Sequence, residues 1–441
     1  MHIPRLNHRV LSASQAQLVS SPVFQFVSAF TVLYIVAILY LRHGSSSDPS
    51  SWFFDARNAY AHRYSTFRSK QAADYVKNAS TAPSFKRMVA GTPDVCVGIP
   101  SFARNGTRYL SLTIGSLFEG LTQPERDRLH VLVLIAHTDP ETHPAYREPW
   151  LTNLADDILS YDLPPEEFRH IADLEKDRGS FREKTLFDQI YVLKACYATG
   201  AELIVKFEDD VLAMDGWFHR MVKGTKLAAQ QSAKSKRYGD YLYLRLFYTE
   251  EYFGWNSEEW RLYLSISLLV TMLFVACLTT LRSRIPSSRR RLTISVVVMS
   301  CTVVAPALIL LFFAVGRVTL FPMPEGVNLM NNFGCCSQGQ VFPRSKIPDL
   351  VEYLQRIRIG YIDTLTEAYA DEHDELRWAL TPSVIQHIGE KSTKDNEPPD
   401  TKYMSFGYSV SHKLWSFPFE RYDPIKLHQE HVEELKSGTG G

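Results

Sequence analysis

Three apolar segments without a charged residue constrain this chain more than any other feature of its sequence. They cover residues 22–41, 262–281 and 293–315. A helix needs roughly 20 apolar residues to cross the ~30 Å hydrocarbon layer of a bilayer. A buried helix of a globular protein normally shows polar interruptions within a shorter stretch. The sequence therefore predicts three transmembrane helices, of which the second and third form a hairpin.

Arginines next to these segments predict their orientation. Arg5 and Arg9 precede the first segment, and the link between the second and third carries only basic charges, at Arg282, Arg284, Arg289, Arg290 and Arg291. The positive-inside rule places both stretches in the cytosol, so the two long polar regions share the opposite, lumenal compartment. A cleaved signal peptide is the alternative for the first segment, but that segment starts late and lacks a small-residue cleavage site before Arg42.

Charge and cysteine content narrow the classes of partner and site. Basic and acidic residues balance at 48 each, so the chain offers no basic stripe for DNA or RNA, and we expect no nucleic-acid partner. The lumenal regions contain four cysteines, which allow three disulfide pairings and leave the choice open: Cys96, Cys196, Cys335 and Cys336. No Cys-x-x-Cys or Cys/His cluster in the sequence indicates a zinc site.

The region after residue 90 alternates between strand and helix patterns. Short apolar runs predict strands over residues 95–99, 129–136 and 202–207, and amphipathic spacing predicts helices over 109–121 and 183–199. This order predicts an α/β domain with a Rossmann-like, mostly parallel sheet and ligands at the carboxyl ends of its strands. A further strand over 241–248 and a helix over 350–369 follow.

Three consecutive acids, Glu208, Asp209 and Asp210, come directly after the strand predicted at 202–207. Adjacent carboxylates at the end of a buried strand are costly unless a cation or hydrogen-bond donors compensate their charge. A Mg²⁺ or Mn²⁺ ion bound to a diphosphate would supply this compensation, because such ions prefer oxygen ligands. The structural alternative is an exposed acidic turn.

This acidic triplet and other stretches resemble glycosyltransferases of the GT-A fold, and in particular the branching N-acetylglucosaminyltransferase IV group. The stretches are residues 98–104 (Gly-Ile-Pro-Ser-Phe-Ala-Arg), 131–138, 182–188 and 382–389 (Pro-Ser-Val-Ile-Gln-His-Ile-Gly). A hairpin that interrupts such a domain after an N-terminal anchor is similar to the Golgi transferases that add an N-acetylgalactosamine (GalNAc) branch to glycosylphosphatidylinositol (GPI) anchors, and to their fungal relatives. The resemblance covers residues 94 to about 415. Between residues 252 and 333 membrane sequence replaces the pattern of the branching enzymes. The acceptor-binding residues and the general base of those enzymes therefore cannot be matched reliably to residues of this segment.

The apolar segments, the arginines beside them and the resemblance together predict a chain of nine parts. They are a cytosolic tail (1–21), transmembrane helix 1 (22–41), a lumenal stem (42–90), the first part of the GT-A domain (91–261), transmembrane helix 2 (262–281), a cytosolic Arg-rich loop (282–292), transmembrane helix 3 (293–315), the second part of the GT-A domain (316–436) and a flexible tail (437–441).

The resemblance also implies a nucleotide-sugar site. Asp210, His387 and Glu208 are the expected metal ligands, and the residues expected to bind the UDP-sugar are Pro100, Ser101, Phe102, Arg104, Lys184, Asp188, Glu208 and Asp209. Taken without the resemblance, His387 lies among apolar neighbours and would be a core histidine, while Lys184 and Arg104 would be solvated surface charges.

The implied reaction is an inverting, metal-dependent transfer of an N-acetylhexosamine, GalNAc, from a UDP-sugar to a mannose of a membrane-embedded GPI glycan, with Mn²⁺ or Mg²⁺. Glu250 is the expected general base, with Glu251 beside it, although two surface acids are the bland alternative. Two other functions stay open. The first is transfer of N-acetylglucosamine to the N-glycans of glycoproteins, which competition between acceptors, with soluble N-glycans added, would distinguish. The second is a non-catalytic membrane tether, which negligible UDP binding with Mn²⁺ present would favour. The sequence does not indicate an oligomeric state.

Overall fold

A computed structural model describes residues 21–104, 108–235, 240–330, 337–389 and 414–438. Within these ranges the strands are β1 (Val95–Ser101), β2 (Leu129–Ile135), β3 (Asp157–Leu159), β4 (Leu203–Phe207), β5 (Val211–Ala213), β6 (Tyr241–Arg245), β7 (Gly326–Leu329), β8 (Gly339–Pro343), β9 (Leu376–Thr381) and β10 (Ile385–His387). The α-helices are α1 (Pro22–Gly44), α2 (Ala56–Ala59), α3 (Tyr64–Ala79), α4 (Tyr109–Phe118), α5 (Gln123–Asp127), α6 (Pro149–Leu154), α7 (Pro165–Lys176), α8 (Phe181–Ala198), α9 (Trp217–Lys234), α10 (Trp260–Arg284), α11 (Ile294–Met299), α12 (Ala305–Val315), α13 (Arg317–Leu320), α14 (Ile347–Ile357), α15 (Ile362–Glu372) and α16 (Pro424–Gly438).

The chain divides into two compact units. One, the helical unit, consists of Met1–Ala59 and Glu250–Pro322, and the other, the sheet unit, consists of Tyr60–Thr249 and Met323–Gly441. The membrane hairpin therefore interrupts the sequence of the sheet unit, as predicted.

A mixed eight-stranded sheet organises the sheet unit, in the order β3-β2-β1-β4-β8-β6-β9-β7. The pairs β1–β2, β2–β3, β1–β4 and β6–β9 are parallel, and the pairs formed by β8 and β7 are antiparallel. The predicted α/β class with a mostly parallel sheet is confirmed. From β1 the chain first continues to β2 on one side and later returns to β4 on the other, so a crevice opens at the carboxyl ends of β1 and β4.

Both faces of this sheet are covered, because its central strands are apolar on both sides. Val97, Val133 and Val205 belong to one core cluster, whereas Leu132 and Ile204 belong to the other. Helix α8 lies so close to β1 that a Cβ atom at Gly98 would be 2.3 Å from Val192 Cγ1. A disulfide between Cys96 and Cys196 joins the same two elements, which answers the pairing question for these cysteines. Cys335 and Cys336 lie outside the described residues.

Two boundary predictions in the sheet unit were wrong. The helix predicted over 350–369 is two helices, α14 and α15, because Arg358 adopts a positive φ of 66° that no α-helix can contain. The strand predicted over 241–248 ends at Arg245, since the backbone N–H of Tyr248 donates to Ser383 Oγ instead of a neighbouring strand (3.1 Å). Residues from Tyr60 onward, within the predicted stem, contribute α3, which packs on α4 with Gly115 against the Ala72 carbonyl.

Among the described residues of the helical unit, three helical segments are long and apolar enough to cross a membrane: Pro22–Gly44, Glu250–Arg284 and Ile294–Val315. They match the three predicted segments, except that the third begins at Ile294 instead of Thr293. Their apolar side chains are largely exposed, for example Leu33 and Leu268, which a lipid environment would cover. The length and composition of these helices identify the chain as a membrane protein.

Polar contacts join these helices to one another. Tyr34 on α1 donates its hydroxyl hydrogen to the carbonyl of Ala307 (2.9 Å), and the Trp255 indole donates to that of Phe313 (3.1 Å). At the end of α12 the buried Asp48 accepts from the backbone of Thr319 (2.6 Å), next to Gly316, whose φ of 93° a side chain would disfavour. The anchor α1 and the hairpin thus form one connected helical unit.

Candidate active site

A small second sheet brings the acidic triplet and His387 together. Glu208, Asp209 and Asp210 connect β4 to β5, and β5 pairs antiparallel with β10 so that Val211 lies opposite His387. The backbone N–H after His387 donates to the carbonyl of Asp210 (2.9 Å). Two segments almost 180 residues apart in sequence therefore meet at the carboxyl end of β4, which is where the sequence predicted a ligand site.

The predicted metal ligands form one cluster. One ligand atom each from Glu208, Asp210 and His387 lies within 4.8 Å of the other two, and His387 Nε2 lies 3.5 Å from Asp210 Oδ2. Asp210 Oδ1 is buried and accepts no hydrogen bond within the described part of the chain. A divalent cation would satisfy that oxygen, and a donor set of carboxylates plus one imidazole suits Mn²⁺. The residues present therefore fit a divalent metal.

The charges in this cluster are unequal. For Asp210 burial disfavours the ionised form, but His387 and Arg104 outweigh this effect and lower its pKa to about 2. Burial raises the pKa of Asp209 to about 6 against the opposing charge of Arg104, and burial together with Asp210 raises the pKa of Glu208. The pKa of His387 is raised, because Asp210 outweighs the effect of burial. Of the three acids, Asp210 is thus the one whose ionised form the surroundings favour most.

A second group of contacts joins the end of β1 to the triplet. Ser101 Oγ donates to Asp209 Oδ2 (2.6 Å), and Arg104 Nη2 lies 2.8 Å from Asp209 Oδ1 and 3.3 Å from Asp210 Oδ2. Ser101, Phe102, Arg104 and Asp209 line a cavity of about 260 Å³ together with Tyr109 and His143. The structure thus places four of the predicted UDP-sugar ligands around one cavity at the carboxyl end of β1, to which Asp209 is contributed from the end of β4. Pro100 lies within β1, paired with Leu134.

Lys184 and Asp188 are engaged with each other and do not line this cavity. Lys184 Nζ lies 2.9 Å from both carboxylate oxygens of Asp188, 2.5 Å from the Tyr161 hydroxyl and 3.1 Å from the Ala136 carbonyl. Both side chains are buried. The contacts hold α8 against the end of β2, and the role of the pair in donor binding stays a prediction.

Glu250 and Glu251 open a short 3₁₀ turn, Glu250–Tyr252, in the helical unit. Glu250 is buried, whereas Glu251 is half-buried. Their catalytic role stays a prediction.

Three residues that support the site were not singled out from the sequence. The Thr113 hydroxyl lies 2.8 Å from the Asp209 carbonyl and accepts from Val211 N (3.1 Å), so it fixes the turn that carries the triplet. His137 Nε2 accepts from Ala103 N (2.9 Å) and its Nδ1 lies 2.6 Å from Glu175, which positions the loop after β1. At Gly389 a Cβ atom would lie 2.3 Å from Asp210 Oδ2.

Weak signals for these residues exist in the sequence. Thr113 is one of three Ser and Thr residues in the largely apolar helix α4, His137 directly follows a predicted strand, and Gly389 lies two residues after a predicted metal ligand. None of these patterns is specific enough to assign a role without the structure.

Two sequence comparisons identify known proteins to which this chain is similar. The sequence model of the family described as GPI-N-acetylgalactosamine transferase PGAP4 matches residues 95–386. Over 138 residues the chain is 28% identical to the alpha-1,3-mannosyl-glycoprotein 4-beta-N-acetylglucosaminyltransferase B of Mus musculus, a match that covers 29% of this chain and 25% of the mouse protein. The match with this curated relative thus spans only a quarter of the relative's length.

Proposed function

Because this chain belongs to the family of GPI-N-acetylgalactosamine transferases PGAP4, we propose that it transfers GalNAc from UDP-GalNAc to a mannose of the GPI-anchor glycan. The observation that carries this proposal is the meeting of Glu208, Asp210 and His387 beside the cavity lined by Arg104 and Ser101. That arrangement supports binding of a nucleoside diphosphate through a divalent ion at the carboxyl end of β4.

In this proposal the metal ligands, Arg104 and Asp209 each have a distinct role in binding the donor. A Mn²⁺ or Mg²⁺ ion held by Asp210, His387 and Glu208 would neutralise the charge that develops on the leaving diphosphate. The Arg104 guanidinium, already 2.8 Å from Asp209, adds positive charge on the same side of the cavity. Asp209, held by Ser101 and Arg104, lines the cavity and is placed to bind ribose or sugar hydroxyls.

We assign the general base of an inverting displacement to Glu250. The acceptor hydroxyl must lose its proton to a carboxylate within about 3 Å as it attacks the anomeric carbon. Glu250→Gln is expected to keep UDP binding and to lose transfer by about 10² or more, because the amide keeps the shape of the side chain but cannot accept the proton. The transfer rate and the affinity for UDP are measured together.

Glu251→Gln is the matched control for that variant, and we expect it to transfer GalNAc at close to the wild-type rate. Equal losses in both variants, or full activity of Glu250→Gln, would contradict the assignment of the base.

The helical unit supports a location at a membrane. We propose the nine-part organisation described above, with a cytosolic N-terminus, a lumenal sheet unit and a Golgi location. The five arginines of residues 282–291, two in the last turn of α10 and three between α10 and α11, support this orientation. A membrane-borne acceptor has its sugars just above the bilayer, so a transferase attached through both an anchor and a hairpin would meet it at a restricted height, which raises the effective concentration.

Replacing residues 262–315 with a short soluble linker tests this positioning. We expect activity on membrane-embedded GPI to fall far more than the slow hydrolysis of the donor by water, because only the first reaction depends on the height of the cavity above the bilayer. Both rates are measured on the same preparation in lipid nanodiscs. An equal loss of both activities would show that the hairpin is needed for folding rather than for positioning.

The proposed reaction is tested with a panel of donors and acceptors. The full-length protein in nanodiscs receives UDP-GalNAc or UDP-N-acetylglucosamine, with either a GPI glycan or a biantennary N-glycan as acceptor. We expect product only from UDP-GalNAc and the GPI glycan. Transfer of N-acetylglucosamine to the N-glycan would favour the alternative function, which rests on a match to a quarter of the mouse protein. No UDP binding in the presence of Mn²⁺ would favour a non-catalytic tether.

A further inference from the structure

Outside the candidate active site, three side chains with metal-ligand chemistry meet where three helices of the sheet unit converge. Glu125 belongs to α5, His219 to α9 and His431 to the last helix, α16. One ligand atom from each lies within 4.8 Å of the other two. Glu125 and His431 are buried, and only 11% of the His219 side chain is exposed.

Both imidazoles in this group are oriented by a carboxylate on one nitrogen. His431 Nδ1 lies 3.0 Å from Asp215 Oδ1, which leaves Nε2 directed at Glu125 Oε1, also at 3.0 Å. His219 Nε2 lies 3.4 Å from Glu430 Oε1. A histidine whose second nitrogen contacts a carboxylate is the usual arrangement around protein-bound zinc, because that contact fixes the tautomer and the ring orientation.

The geometry of the two rings also suits a shared ion. Their centroids are 5.3 Å apart. Two imidazoles bound to one tetrahedral zinc at about 2.0–2.1 Å place their ring centres about 5 Å apart. Gly216 leaves the space that the His219 ring needs, since a Cβ atom there would lie 2.5 Å from His219 Cε1.

Hydrogen bonds and ion pairs without a metal ion explain less of this arrangement. An imidazolium at His431 bridging Asp215 and Glu125 accounts for those three side chains. It leaves the buried Nδ1 atom of His219 without a hydrogen-bond partner among the residues that the structure describes. An ion would use an imidazole nitrogen of His219 and would replace the proton on His431 Nε2, which passes to solvent.

We propose that Glu125, His219 and His431 bind a zinc ion, with a water molecule in the fourth position. Nitrogen ligands favour zinc over Mg²⁺, and one carboxylate with two imidazoles is a common zinc donor set. The sequence shows no compact Cys/His pattern because the ligands come from three segments far apart in the chain. The ion would fasten α16 to α5 and α9.

A zinc ion at this position would also stabilise strand β10 of the candidate active site. The segment just before α16 supports β10, because Gln386 Nε2 donates to the Ser416 carbonyl (3.0 Å) and Ser416 N donates back to Gln386 Oε1 (2.9 Å). Tyr422 donates to the carbonyl of Ser383 (3.0 Å). Gln386 is the neighbour of His387, so a zinc ion on α16 would stabilise the segment that carries the active-site histidine.

The test is a zinc titration of the full-length protein, purified through an affinity tag without histidines and stripped with a chelator. All samples carry Asp210→Ala, so that the active-site cluster does not contribute. We expect one zinc ion per chain by calorimetry and elemental analysis, and a Tm that rises with zinc concentration, because zinc binds the folded state. His431→Gln and His219→Gln should each weaken zinc binding by at least about 10²-fold.

His428→Gln is the matched control. His428 is also on α16 and lies 3.2 Å from Asp215 Oδ2, but it is exposed and outside the ligand group, so zinc binding should be unchanged. If His431→Gln does not fold, His219→Gln carries the test by itself. Absence of zinc binding, or equal affinity in the parent and both ligand variants, would overturn the proposal and leave an ionic cluster only.

Discussion

Asp210→Ala is expected to abolish GalNAc transfer, with a loss of about 10³-fold or more, while the protein stays folded. Asp210 is the member of the cluster whose pKa is lowered to about 2 by His387 and Arg104, so its ionised form is the most strongly favoured among the three acids. Its second oxygen has no partner within the described residues. In the proposed reaction its removal would separate the metal from the diphosphate, whereas the apolar core under β4 would stay intact.

The transfer rate at saturating Mn²⁺ and UDP-GalNAc, together with the Tm, checks this expectation. Asp173→Ala, on the exposed surface of α7, serves as control and should match the wild type in both measurements. Transfer by Asp210→Ala at the wild-type rate and the wild-type Mn²⁺ concentration would remove Asp210 from the metal site.

Gly389→Ala should reduce transfer by about 10²-fold and raise the Mn²⁺ concentration needed for half-maximal activity. A Cβ atom at this position would lie 2.3 Å from Asp210 Oδ2 and 2.8 Å from His387 Nε2, so both predicted ligands must move apart to admit one methyl group. A displacement of this size in the ligands is enough to disturb coordination, because metal sites require ligand positions accurate to a few tenths of an ångström.

Gly44→Ala is the matched glycine control, because no atom lies within 4 Å of its would-be Cβ. We expect this variant to behave as the wild type. If Gly389→Ala kept the wild-type Mn²⁺ dependence, the two ligands would not act together on one ion.

Much of the fold could be predicted from the sequence because its signals are local. Charge-free runs of 20 residues and alternating apolar strands specify the helices of the helical unit and the parallel part of the sheet. The acidic triplet was placed correctly at the end of β4, since three acids after a buried run have few other stable positions. The family resemblance then added His387, which no local pattern distinguishes from a core histidine.

The features that were missed depend on contacts between distant segments. The break at Arg358 is a local exception: it is a single residue with a φ of 66°, two positions before Gly360, and the helical spacing over 350–369 did not show it. The inward direction of Lys184, held by Tyr161 and the Ala136 carbonyl, has no signature in the helical spacing of α8. Likewise His219 and His431, 212 positions apart in the printed sequence, meet only once α9 and α16 have packed.

The most direct test of the central claim is anomalous diffraction at the manganese edge from crystals of the full-length protein grown with Mn²⁺ and UDP. The account predicts an anomalous peak within coordination distance of Asp210 and His387 Nε2, in contact with the diphosphate of a UDP molecule that reaches the cavity beside Arg104. UDP bound in that cavity with no peak between Asp210 and His387, or a peak without these two residues as ligands, would contradict it.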